Sequence, residues 1–142
     1  MINAIIDGIS IKLNESFGDE YEIYTESVKQ GLKNHCFIIS CVNPTTEQFL
    51  GKRYFKTNMF CIHYFPSSAE PKNEINAVTE QLFLALEYIT VDGDLIRGTK
   101  MRAETDDAGV LNFFINYDLF VHKVEEEQPP MESYDYDSKM KG

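Results

Sequence analysis

Six side chains in this sequence carry the thiol and imidazole chemistry that small proteins most often use for nucleophilic catalysis or metal binding: His35, Cys36, Cys41, Cys61, His63 and His122. A structural zinc site needs three or four such ligands converging on one tetrahedron, commonly with a C-x-x-C pair supplying two of them. No such pair occurs here. In an extended chain successive side chains alternate, so Cys61 and His63 share one strand face. His35 and Cys41 likewise share a side of their strand, and Cys36 points the other way. Thiols packed as small hydrophobes, beside ordinary histidines, fit this pattern better than a ligand set does. Cys61 with His63 or His122 has the types of a nucleophile and its base, but no local motif supplies the third, orienting group. The carboxylates are too numerous to single out an acid–base pair. The eight glycines are scattered, with neither a G-x-G-x-x-G turn nor a P-loop, so nucleotide binding has no support. The residues therefore predict no catalytic, cofactor-binding or metal-binding site and no cofactor. The odd number of cysteines, all in apolar surroundings, fits a reducing compartment.

The other chemical feature is the stretch LGKRYFKTNMF, residues 50–60, which holds Lys52, Arg53 and Lys56 without a carboxylate. It stands out because the 142-residue chain has 13 basic against 23 acidic residues and a formal charge of -10. That excess repels polyphosphate and anionic membranes at long range, which disfavours nucleic-acid or membrane binding as the main role. Two readings of the cationic stretch follow. It is a charged strand edge that discourages unwanted pairing, or Lys52, Arg53 and Lys56, with Lys100 and Arg102, meet carboxylates of an adjacent copy or a neighbouring assembly protein. In the second case charge sets register and partner choice.

These residues must be held by an ordinary single-domain core, which a chain of this length supports without disulfides or metal. Ile2, Ile5, Ile6, Ile9 and Leu13 recur at helical spacing and predict a short amphipathic first helix. Ser67 and Ser68 offer caps for a second helix over about 71–90, whose buried face is Ile75, Val78, Leu82, Ala85, Leu86 and Ile89. A weak strand covers 21–25. Residues 36–42, CFIISCV, are apolar on both faces and predict a central strand ended by a turn at Asn43, Pro44 and the two threonines. Residues 48–56 and 59–65 read as a long hairpin turning at Thr57 and Asn58. A second long hairpin joins 97–104 to 111–121 through the turn DDAG, with Leu111, Phe113, Ile115, Tyr117, Leu119 and Val121 facing the core.

The expected class is α+β: a mixed, mostly antiparallel sheet with two helices packed on it, two long β-hairpins and a flexible acidic C-terminal tail. Residues 1–122 are the expected domain. Residues 123–142, with the run Glu125 to Glu127 and few aliphatic side chains, are the expected tail. With no basic start, no long apolar run and no stretch near the span of a bilayer, the chain reads as soluble and made in the cytoplasm.

Residues 21–66, YEIYTESVKQGLKNHCFIISCVNPTTEQFLGKRYFKTNMFCIHYFP, resemble the phage tail terminators of prophages and phage-tail-like particles of low-GC Gram-positive bacteria. Within them VKQGLKNHCFIISCV, residues 28–42, is similar to that family's entry V-x-Q-G-L-x-x-P-C-F-F-I into an apolar central strand, followed by a polar turn and an aromatic hairpin. Asn34 and His35 stand where the family has an acidic residue and proline. The resemblance covers about residues 1–121 in element order, most specifically 28–66. It implies a structural virion protein without enzyme activity, made in the host cytoplasm and assembled, commonly as six copies, into a ring at the head-proximal end of the tail tube. In contractile particles that ring also anchors the last sheath layer. The implied partners are other copies of the chain, the tube protein, a sheath protein if the tail contracts, and a head–tail connector, with DNA only as passing cargo. The alternatives are a head-to-tail connector or tail-completion protein, and a small cytosolic binding module or enzyme using Cys61 and His63.

If residues 1–122 hold the whole core, deleting Glu125 to Gly142 leaves the cooperative thermal transition and its midpoint in place. Loss of that transition in calorimetry would place part of the core in the tail.

Overall fold

The computed structural model describes residues 1–25, 35–67 and 70–122. Residues 28–34 of the motif at 28–42, Ser68 and the tail from 123 lie outside the described residues. So does the side chain of His122.

Helix α1 (Ile2–Phe17) forms where the apolar stripe predicts it and buries Ile5, Ile9 and Leu13. Gly8 lies on the same face because nothing larger fits: a Cβ there would sit 2.7 Å from the carbonyl oxygen of Thr90. Strand β1 (Glu22–Tyr24) runs parallel to β2 (Cys36–Leu50), which pairs antiparallel with β3 (Arg53–Phe65). After helix α2 (Pro71–Ala85) come a small separate hairpin, β4 (Tyr88–Val91) with β5 (Asp94–Arg97), and then β6 (Thr99–Thr105), β7 (Leu111–Asn116) and β8 (Leu119–His122). The main sheet has the order β1-β2-β3-β7-β6, with β8 following β7 along the same edge of β3. It is mixed and mostly antiparallel, and with two helices it makes the expected α+β class.

Three expected boundaries are corrected. First, the chain does not turn at Asn43–Thr46 or at Thr57–Asn58. A register shift between Cys41 and Asn43 absorbs one residue, and β2 continues to Leu50. Pro44 is tolerated because β1 pairs only with Cys36, Phe37 and Ile38, which leaves the rest of β2 an edge strand. The turn falls instead at Gly51, whose φ of 55° suits glycine. Second, α2 stops at Ala85, five residues early. Ser67 does not cap it; the capping position is Glu70. Ile89 is buried as expected, but from β4, because Asp92 and Gly93 both adopt positive φ and close a two-residue hairpin. Third, the closing strand breaks at Tyr117 and Asp118. Its last part, β8, pairs with β3 rather than with β6, and Arg97 belongs to β5. The DDAG turn is where the sequence puts it, with the Asp106 carboxylate accepting from the N–H groups of Ala108 and Val110 at 2.9 and 3.0 Å. Those bonds, Val110 foremost, hold its carboxyl below the usual range.

The core lies on one face of the sheet. Phe37, Tyr64, Ile62 and Phe113 are linked by register and are fully buried with Ile5, Ile9, Leu13 and Leu82. Phe17 of α1 packs on Phe37 at 5.0 Å between ring centroids, and Phe83 of α2 packs on Phe113 at 5.2 Å. The Gln81 amide donates to the Ser16 carbonyl at 2.7 Å and joins the two helices. The Tyr64 hydroxyl donates to the Glu74 carboxylate, tying the start of α2 to β3; burial, then that carboxylate, raises the phenol's pKa. Where β7 ends, the buried Tyr117 hydroxyl donates to the carbonyl of Leu86 at 2.6 Å.

Replacing Tyr117→Phe leaves that carbonyl without its partner and should lower the unfolding free energy by about 1–2 kcal/mol. Urea titration should show a lower midpoint at unchanged slope.

Candidate interaction surface

The face of the sheet turned away from the helices carries Cys61 and His63, whereas Cys41 packs against the core. Ser40, Cys61 and Phe114 form one row across β2, β3 and β7, and Ile38, His63 and Asn112 form the next. Cys61 and His63 do share this face, with Sγ 3.8 Å from Nδ1. The same Nδ1 lies 2.6 Å from Oδ1 of Asn112, so an amide engages the imidazole. Cys61 is 2% exposed, and burial pushes its thiol up to about 11. A nucleophilic cysteine needs a depressed pKa and access, and this one has neither. Cys36 is shifted upward by burial too, with Glu22 adding to it. His35 takes a φ of 62° and meets Ser67 Oγ through Nε2 at 2.6 Å. Among the described residues no group of three His, Cys, Asp or Glu is placed to hold a metal ion.

The five cations are not gathered into one patch. Lys52 is in the turn at Gly51, at the tip of an arm made by the distal halves of β2 and β3 with β8 alongside. Arg53 begins β3 at the same tip, its guanidinium 5.0 Å from the ring centroid of Phe120 and 6.0 Å from that of Phe49. Phe55 is opposite Phe120 in register and 4.9 Å from it, so Arg53 caps an aromatic cluster. Lys56 is three residues further, on the opposite face of the arm. Arg102 lies two strands away on edge strand β6, 4.1 Å over Phe114 and ion-paired with Glu104. Lys100 sits in the bulge between Thr99 and Arg102, at a φ of 53°. Arg53 and Arg102 thus share the helix-free face but not a neighbourhood.

Among the described residues no helix covers the outer half of the arm. From Val42 to Leu50 every residue of β2 is exposed, including Phe49 at 55% and Leu50 at 64%. This apolar component was missed in the sequence, where the cations drew notice and the aromatics at 49, 55 and 120 were too far apart to read as one cluster. The available signal was the pairing of aromatic residues with Arg53 in a strand too long for the body.

A family profile described as phage tail terminator protein matches residues 4–129. The chain belongs to that family. No curated protein matches it. The resemblance carried by residues 28–66 is therefore supported over most of the chain, and the match runs a few residues into the segment expected as a tail. Membership assigns the protein a role in phage tail assembly, as a virion component that interacts with other tail components, and points to a structural role in place of an enzymatic one. Among the described residues no helix is long and apolar enough to cross a membrane.

With its raised pKa, Cys61 should resist a disulfide thiol reagent at pH 8 in the folded protein and react fully in denaturant, read as released chromophore. The same shift makes stability fall as pH rises from 9 towards 11, because the unfolded thiol ionises first.

Proposed function

We propose that this tail terminator assembles as a ring of identical copies, six being the number its resemblance implies, and that the ring closes the head-proximal end of the tail tube. Where the tail contracts, the same ring anchors the last sheath layer. Residues 1–122 form the assembling body and 123–142 an acidic tail. The observation that carries this reading is the projecting arm, which a lone chain leaves exposed along nine residues and tips with an arginine stacked on aromatic rings. A monomer gains nothing by holding Phe49, Leu50 and Phe120 in water, and exposed apolar patches rimmed by polar groups mark contact surfaces. In this reading Lys52, Arg53 and Lys56 at the arm, with Lys100 and Arg102 on β6, meet carboxylates of neighbouring copies or of the tube and sheath. The formal charge of -10 suits a channel through which DNA slides, since like charge keeps phosphates from adhering.

Replacing Lys52→Glu together with Arg53→Glu should leave the thermal transition of the purified chain unchanged and abolish rings at the tops of tails in electron micrographs. Normal rings from that double variant would return the cations to the role of a solubilising strand edge.

A further inference from the structure

A cleft of about 380 Å³ lies between α1 and the β4–β5 hairpin, with Gly8 in its lining. Its apolar side chains include Ile11, Tyr88 and Leu95, of which Ile11 is 59% and Leu95 69% exposed. Its charged lining is Lys12, Glu15 and Asp92, and exposed Asp94 follows directly on the β4–β5 turn. Glu15 is in the last turn of α1, which has no basic residue there. The partial negative charge of that helix end and the carboxylates of Glu15, Asp92 and Asp94 outnumber the one cation in the lining, Lys12, so the cleft keeps a net negative sign.

The arm tip carries the opposite sign. It presents Leu50 and Phe49 beside the guanidinium of Arg53, which no carboxylate among the described residues pairs. Tip and cleft are both exposed in the single chain, so they do not satisfy one another within a molecule. Nine exposed residues at about 3.3 Å each carry the tip on the order of 30 Å along the strand, far enough to cross a subunit boundary.

We infer that the arm tip of one copy seats in the α1/β4–β5 cleft of the next, with Leu50 against Ile11 and Leu95 and Arg53 against Glu15. The inference rests on the ring proposed above and names the surfaces that join its members. Because tip and cleft are different patches on identical chains, the contact is heterologous, the type that repeats around an axis until it closes.

The test uses tails assembled from the full chain. Leu50→Cys with Leu95→Cys should give a ladder of cross-linked multimers on a non-reducing gel, and neither single variant should. Arg53→Glu should lower the yield of ringed tails by about tenfold or more, and adding Glu15→Arg should restore most of it. A ring on wild-type tails, with neither the ladder nor the rescue from the double variants, would overturn this contact and leave the ring standing. Wild-type tails without a ring of this protein would overturn both.

Discussion

The sheet depends on one exchange of hydrogen bonds in its middle. Asn58, only 3% exposed, receives the N–H of Tyr117 on its carbonyl at 2.9 Å and donates its side-chain amide to the Tyr117 carbonyl at 3.1 Å. Its own N–H reaches the Asp118 carboxylate at 3.3 Å. A buried amide with unmade bonds costs more than the bonds themselves contribute, so an asparagine here is stable only with these partners in place. The exchange fixes where β7 stops and β8 starts, and it holds both on the same strand. On one side of it β3 is covered by helices; on the other it becomes the arm.

That division separates two kinds of stability. The body is held by burial: three phenylalanines, two tyrosines and the apolar faces of both helices leave water almost completely. The arm has only its ladders and cross-strand pairs, among them the Thr45–Thr57 hydroxyl contact and the Phe49, Phe55 and Phe120 rings under Arg53. Stacking of this kind contributes about 0.5–1 kcal/mol at an exposed site, enough to order a side chain but little against the exposure of the rings themselves. The arm therefore stands on strand pairing where the body stands on burial.

Sequence alone carried the parts governed by periodicity. The stripe of α1, the alternation through Leu111, Phe113 and Ile115 and the aspartate-led turn before them are local patterns with local causes. What it misplaced was decided by contacts distant in sequence. Asn58 reads as a turn residue until Tyr117 is beside it, and Asn43–Pro44 reads as a break until the edge position of β2 makes the missing donor harmless. The end of α2 was legible in principle, since Asp92–Gly93 is a strong hairpin signal, but the apolar spacing through Ile89 suits helix and strand alike. For the surface, the cations were visible as a composition anomaly. Their separation onto two strands and two faces was not, because it follows from register.

Charge sets the remaining constraint on any contact between copies. Chains of formal charge -10 repel one another, but at physiological salt the repulsion fades beyond about 8 Å, so contact is governed by what lies within that distance. Among the described residues the arm tip holds Lys52, Arg53 and apolar side chains, a local reversal of the sign of the molecule. The reversal makes the tip attractive to the acidic remainder of another copy while acidic surfaces elsewhere keep other approaches apart. In the ring proposed above, a small cationic, aromatic projection on an acidic chain would favour one mode of self-contact over many, with selectivity coming from repulsion everywhere else as much as from attraction at the tip.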